Sequence, residues 1–161
     1  MNNIVNALNL IAKAILTVRI TSAISNFYYY ISSSAGTTVT TAGTYYKVAG
    51  TTAYKSLENF THEDNKLTYT GTRPALVTIT GNVSFSSDTS NILVTMAGAI
   101  NGTVDPLGSS THTLGVSGYV ANVSGIALVT MQPGDYFELY CTCDNSGSIV
   151  TAEKLTIMCI S

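Results

Sequence analysis

Histidine is the side chain best suited to move protons near neutral pH, and this 161-residue sequence has two, His62 and His112. A hydrolytic site would need one of them beside a nucleophile and a group that orients the ring. Neither stands next to a Gly-x-Ser-x-Gly elbow. His62 lies in the most charge-dense stretch, Glu58-Asn59-Phe60-Thr61-His62-Glu63-Asp64. That composition suits either an acid/base or metal cluster, or a solvated loop ahead of a strand, and the second reading accounts for it without further ligands. Asp88 and Asp105 are single acids with no calcium-loop spacing, and no glycine-rich phosphate loop is present. The sequence therefore predicts no catalytic residue, no metal ligand, no cofactor and no enzymatic activity.

The three cysteines, Cys141, Cys143 and Cys159, cannot all pair within one chain. Cys141 and Cys143 are two apart on a predicted strand, so they share a face. Buried free thiols in a reducing compartment are expected. Asn59, Asn82, Asn101 and Asn122 open Asn-x-Ser/Thr triplets, but a chain this rich in Ser and Thr yields about that many by chance.

These residues need a scaffold, and the composition says which kind. Charged residues make up only 10% of the chain, against 45% hydrophobic, where about 25% charged is usual. Ser, Thr, Asn and Gly replace the missing charge, and the Thr, Val, Ile and Tyr content fits pleated strands. The formal net charge of -2 gives no electrostatic footprint for nucleic acid. The length fits one domain with its own core.

The N-terminal residues have a different pattern. Ile4, Leu8, Ile11, Ile15 and Val18 are spaced by four, three, four and three, an a/d seam that Asn2 or Asn3 can cap. The spacing predicts a short amphipathic helix, packed on a neighbour or self-associated. Asn6, Asn9, Lys13 and Arg19 interrupt the apolar run, so neither a membrane span nor a signal peptide is expected, and the chain reads as one folded in the cytosol. Val18, Ile20, Ile24, Tyr28 and Tyr30 suit an extended segment. The Tyr28-Tyr29-Tyr30 cluster fits equally a contact patch for a partner or sugar and a core between arm and domain. Residues 32–44, small and polar, read as a spacer. The expected division is an anchoring arm over 1–31, a spacer over 32–44 and a β domain over 45–161 that folds without them.

From Tyr45 onward strands alternate with turn signals. Strands are predicted near 45–49, 66–70, 75–86, 91–100, 113–120, 123–132, 135–143 and 154–160, with tight turns at Asn101-Gly102 and Pro133-Gly134. Val77, Ile79, Val83 and Phe85 share one face, as do Phe137, Leu139, Cys141 and Cys143. About eight strands at hairpin spacing, with no crossover helix, predict an all-β antiparallel jelly-roll sandwich.

The stretch Lys66–Thr72, the long strand Ala75–Phe85, the hairpin at Asn101-Gly102 and, best, Ile126 to Tyr140 through Gln132-Pro133-Gly134-Asp135 resemble the jelly roll of tumour necrosis factor and the complement globular head. Leu155 to Ile160 matches that family's apolar closing strand. The resemblance covers roughly residues 45–161. It implies tight trimers about the closing strand, and forms of this fold in small phage virion proteins have the same low-charge, Thr- and Asn-rich texture. The calcium and receptor loops of animal members are not recognisable here, so no ligand residues carry over.

The expectation is a non-enzymatic virion structural protein, assembled in the host cytoplasm: a homotrimeric capsid decoration (cement) or head-fibre protein. It would be held to the major capsid protein, or another virion protein, through Ile4, Leu8, Ile11, Ile15 and Val18, with no nucleic-acid or membrane partner. The alternative is a receptor- or carbohydrate-binding tip of a phage tail fibre or baseplate, meeting a host surface glycan.

Overall fold

The structure, a computed structural model, describes residues 26–105 and 108–160. The predicted N-terminal helix, with Ile4, Leu8, Ile11, Ile15 and Val18, lies outside the described residues.

Thirteen strands follow one another: β1 (Asn26–Ser34), β2 (Gly36–Val39), β3 (Tyr46–Lys47), β4 (Gly50–Glu58), β5 (Phe60–Glu63), β6 (Lys66–Tyr69), β7 (Ala75–Ser87), β8 (Ile92–Ile100), β9 (Thr103–Val104), β10 (Ser110–Leu114), β11 (Ala121–Met131), β12 (Tyr136–Cys143) and β13 (Ser148–Ile160). No α-helix occurs among the described residues. The first sheet runs β11-β7-β13-β1-β4, with β2 also on β13, and the second runs β10-β8-β12-β6-β5, with β3 on β12 and β9 on β8. Every pairing is antiparallel.

Alternation places the core. Val77, Ile79, Val83 and Phe85 of β7 and Leu155, Ile157 and Cys159 of β13 point inward from the first sheet. Val94 and Met96 of β8 and Phe137, Leu139 and Cys141 of β12 meet them from the second. The all-β sandwich expected from the sequence is the observed fold. Turn chemistry sets its register. Asn101 and Gly102 both have positive φ and close the β8–β9 hairpin. Asp64 and Asn65, also at positive φ, close β5–β6 as a two-residue loop. Gly134 has a φ of 90° in the turn where Asp135 N–H donates to Gln132 O at 2.9 Å, the type II turn expected after Pro133.

The structure differs from the expected division at residues 26–44. The segment read as the end of an arm and a polar spacer supplies β1 and β2. β1 lies inside the first sheet, with Phe27 opposite Cys159 on one side and Leu57 on the other. β2 continues along β13, with Val39 opposite Ser148. The sequence hides this strand because β2 is Gly-Thr-Thr-Val: its apolar content is one residue, yet Val39 is fully buried and Thr37 nearly so. β4 and β5 also occupy a stretch where the sequence suggested loop, and β13 begins six residues earlier than the predicted 154.

The physical tie is aromatic. The Phe27 ring meets Phe60 edge-on at 4.9 Å and lies 6.4 Å from Phe137, and Phe60 lies 5.3 Å from Tyr69. Phe27 belongs to the first sheet and its partners to the second, so β1 joins the two layers. A chain starting at Thr44 would lose β1 and β2, expose both flanking edges and leave this cluster open. Such a chain is expected to lose its cooperative thermal transition in circular dichroism, and Phe27→Ala in the full chain to cost about 3–5 kcal/mol in a urea melt. A truncated chain with an unchanged midpoint would restore the independent-domain reading.

Candidate functional site

Three places in the sandwich bear on function. The first is His62, on β5. It is not in a solvated loop but half-buried in a strand, between the Tyr29 ring at 5.9 Å and the Tyr54 ring at 5.6 Å. Its Nε2 lies 2.7 Å from Thr52 Oγ1, which places a hydroxyl beside an imidazole as a nucleophile pair would. The surrounding hydrogen bonds oppose that use. Asn65 Nδ2 donates to Gly50 O at 2.5 Å, which fixes the amide so that Asn65 Oδ1 accepts from Thr52 N–H at 2.9 Å and from the Thr52 hydroxyl at 2.7 Å. The Thr52 proton is thus committed to Asn65, and His62 donates its Nε2 proton to Thr52 rather than taking one. Thr52 is also buried, out of reach of a substrate. The cluster locks the β5–β6 turn against β4, and Asp64 adds to it by accepting Lys47 Nζ at its carbonyl, 2.8 Å away.

The second is the set of thiols. Cys141, Cys143 and Cys159 are free and buried, on inward positions as the spacing predicted. Burial pushes the Cys141 thiol up to about 12, with smaller opposing and reinforcing effects from Thr37 and Cys143, and it pushes Cys159 up to about 12 as well. These are inert core groups rather than nucleophiles. Among the described residues no group of three or more His, Cys, Asp and Glu side chains could hold a metal ion, and no helix is long and apolar enough to cross a membrane. Asp88 is a loop tie: its carboxylate accepts Ile149 N–H at 2.8 Å. That bond holds its pKa below the ordinary carboxyl value. Asn82 and Asn122 bond across the β7–β11 pair to Ser124 and Ser84.

The third is the outer face of the first sheet, and it is divided. Register places Ile126, Thr80, Met158 and Tyr28 in one row across β11, β7, β13 and β1, and Leu128, Thr78 and Ile160 in the next, with Leu76 beyond. Ile126 is 70% exposed, Leu128 68%, Ile160 63% and Leu76 60%. These four large aliphatic residues form one patch with Met158 on a sheet face where a solvated strand would carry polar groups. The adjoining rows, towards the other end of the strands, are polar: Asn122, Ser124, Asn82, Ser84, Thr156 and Lys154. The apolar half lies at the end of the sandwich where β1 begins and β13 finishes.

No protein-family model matches this sequence, and no curated protein matches it. Solved structures do resemble it in shape. The Eiger TNF of S. frugiperda superposes with a TM-score of 0.60, covering 86% of this chain and 92% of that one at 8% identity. Murine APRIL superposes with a TM-score of 0.56, covering 86% and 99% at 7% identity. The fold is a tumour-necrosis-factor-like jelly roll. At such identities the likeness is one of backbone path, and the function must be argued from sites.

The Tyr28-Tyr29-Tyr30 cluster divides between its two readings. Tyr29 is core, 2% exposed, with its pKa raised by burial and then by the Glu138 charge. Tyr28 and Tyr30 lie on the outer face of the jelly roll, their rings 6.3 Å apart. Alternation at i and i+2 could have separated them, but the sequence alone does not say which of the two sets faces in. The outer patch itself was missed. Ile126 and Leu128 follow Gly125 in a strand where Ala127 and Val129 also look like core, and only the cross-strand register shows which set is outside.

Two measurements test these assignments. Burial lowers the His62 pKa from its ordinary 6.5, so the unfolded chain takes up that proton first. Its contribution to stability is complete above about pH 6.5 and is lost as pH falls below that value towards the folded pKa. Urea midpoints are expected to fall more steeply between pH 7.5 and 5 for the native chain than for His62→Gln, and parallel slopes would show that burial does not act on this group. A thiol reagent at pH 8 is expected to find almost no reactive cysteine in the folded protein and all three after denaturation without reductant. Fewer than three would mean that a bridge has formed.

Proposed function

We propose that this chain is a non-enzymatic structural protein of a virus particle, a homotrimeric capsid decoration or head-fibre protein attached through its N-terminal residues. The observation that carries the reading is the apolar half of the outer face of β11, β7, β13 and β1. Five aliphatic side chains there are exposed in a chain with very little surface charge, and burying each one fully stabilises an assembly by roughly 1.5–3 kcal/mol. Burying such a patch suits a closed symmetric oligomer, and about a three-fold axis it would meet a different part of the next subunit. β13 carries two of its residues, Met158 and Ile160, and is the closing strand about which the family resemblance implies trimers.

The residues before β1 supply the attachment. Ile4, Leu8, Ile11, Ile15 and Val18 would meet the major capsid protein or another virion protein, and because β1 is integral to the sheet, attachment is coupled to the jelly roll without a long spacer. A second reading, a receptor- or glycan-binding tip, draws on Val116, Tyr119 and Val120. These are exposed on the loop at the opposite end of the sandwich, where Gly118 N–H donates to Ser87 O at 2.8 Å.

Light scattering at micromolar concentration is expected to return about three chain masses. Ile126→Asp with Leu128→Asp should reduce this to one chain mass while preserving β circular dichroism, since both side chains point away from the core. Leu8→Asp with Ile15→Asp should keep the trimer but abolish binding to purified particles, as seen by cryo-electron microscopy. A monomeric native chain would reject the trimer, and full occupancy by the arm variant would move the anchor to the jelly roll.

A further inference from the structure

The sandwich core is not filled evenly. Gly81 of β7 and Gly125 of β11 are directly opposite each other in the first sheet, both at inward positions, so the β11–β7 end of a row that continues through Ile157 and Tyr29 has no side chains. Across the gap, Gly98 of β8 lies opposite Leu139 of β12. Two of these glycines are filled by neighbours: Ile157 Cγ1 would lie 3.2 Å from a Cβ at Gly81, and the Phe137 ring 2.8 Å from one at Gly98. Position 125 is different, because among the described residues a Cβ there would meet only Gly108 O, at 3.6 Å.

An apolar cavity of about 80 Å³ results at the side where β10 and β11, the edge strands of the two sheets, meet. Ile79, Val83, Met96, Val129, Phe137 and Ile157 are among its walls. Ala127 and Val129, which alternation turns inward, are only partly buried, so the core is open here. Ser110 and Ser124 stand at its polar edge, the Ser110 hydroxyl donating to Ser124 O at 3.2 Å.

We propose that this cavity is a binding site for the end of an uncharged alkyl chain, with a hydroxyl-type head group at the Ser110–Ser124 edge. Its walls are mainly hydrocarbon and aromatic, with Asp105, Ser110 and Ser124 the polar residues among them, so water gains few hydrogen bonds inside. Dry apolar cavities of roughly 150 Å³ take up benzene or xenon, and one about half that size fits a xenon atom or a short alkyl end rather than a drug-sized molecule. The site is independent of the outer apolar face, because it lies on the opposite side of β7 and β11.

The test uses xenon and 1-hexanol as probes of the full chain, read by methyl NMR. Saturating shifts are expected at the methyl groups of Ile79, Val83, Val129 and Ile157. Gly125→Val, whose side chain grows into the open space, should abolish them while leaving the circular dichroism and the trimer mass unchanged. Ala127→Leu fills the same space from the next inward position and serves if Gly125→Val does not fold. The proposal is overturned if neither probe shifts those methyls in the native chain. It is also overturned if the shifts survive in a folded filled variant, or if they fall only on Leu76, Ile126, Leu128 and Ile160 of the outer face.

Discussion

The jelly roll depends on the pairing of β1 with β13. β13 is thirteen residues long and runs down the middle of its sheet with β7 on one flank and β1 followed by β2 on the other. A strand so placed has its backbone groups satisfied on both edges, its odd-numbered residues from Leu155 to Cys159 in the core and its even-numbered ones on the outer face. Without β1, the termini end of β13 would have a bare edge, β4 would lose its only neighbour in that sheet, and Phe27 would leave the aromatic cluster that joins the layers. The same pairing also brings Tyr28 into the row with Met158, Thr80 and Ile126. One ladder thus supports both the core and the surface proposed for assembly.

Low charge shapes the rest. Among the described residues the one salt bridge is Lys47 with Glu138 at 2.6 Å, where a nearly buried carboxylate also accepts the Tyr140 hydroxyl at 3.3 Å. Elsewhere hydrogen bonds fix the loops: Asn65 with Thr52 and Gly50 and Asn101 with Tyr136 N–H between neutral groups, and the Asp135 and Asp144 carboxylates accepting from Asn101 and from Leu93 N–H. Such bonds are directional and barely screened by salt. A surface built this way holds its turns in place while leaving the aliphatic patch as the dominant attractive feature outside the core.

The sequence made the central strands legible because they alternate strongly. Val77, Ile79, Val83 and Phe85 show their face without reference to any neighbour, and the turns at Asn101-Gly102 and Pro133-Gly134 are written in residues that tolerate positive φ. β2 and β4 were illegible for the opposite reason. In Gly50–Glu58 the buried positions include Thr52, a polar residue whose burial is made tolerable by Asn65 thirteen positions away. His62 looked like a solvated residue because its neighbours are charged, and nothing local indicates that Tyr29 and Tyr54 flank it. The outer patch was hidden by Leu76, Ile126 and Leu128 lying beside equally apolar inward residues, a choice that register alone decides.

The position of β1 also has a mechanical meaning. Asn26 enters the sheet at the end where β13 finishes, and the Val116–Val120 loop caps the far end. A pull between residues before Asn26 and that far loop runs parallel to the strands. It loads the bonds of β1 to β13 and β4 together, in shear, so none can fail without most of the others. A pull between the two chain ends would act across the strands instead and open the same bonds one after another from Phe27 inward. A jelly roll tethered by its N-terminal residues and tugged at its tip is therefore strained along its strongest direction.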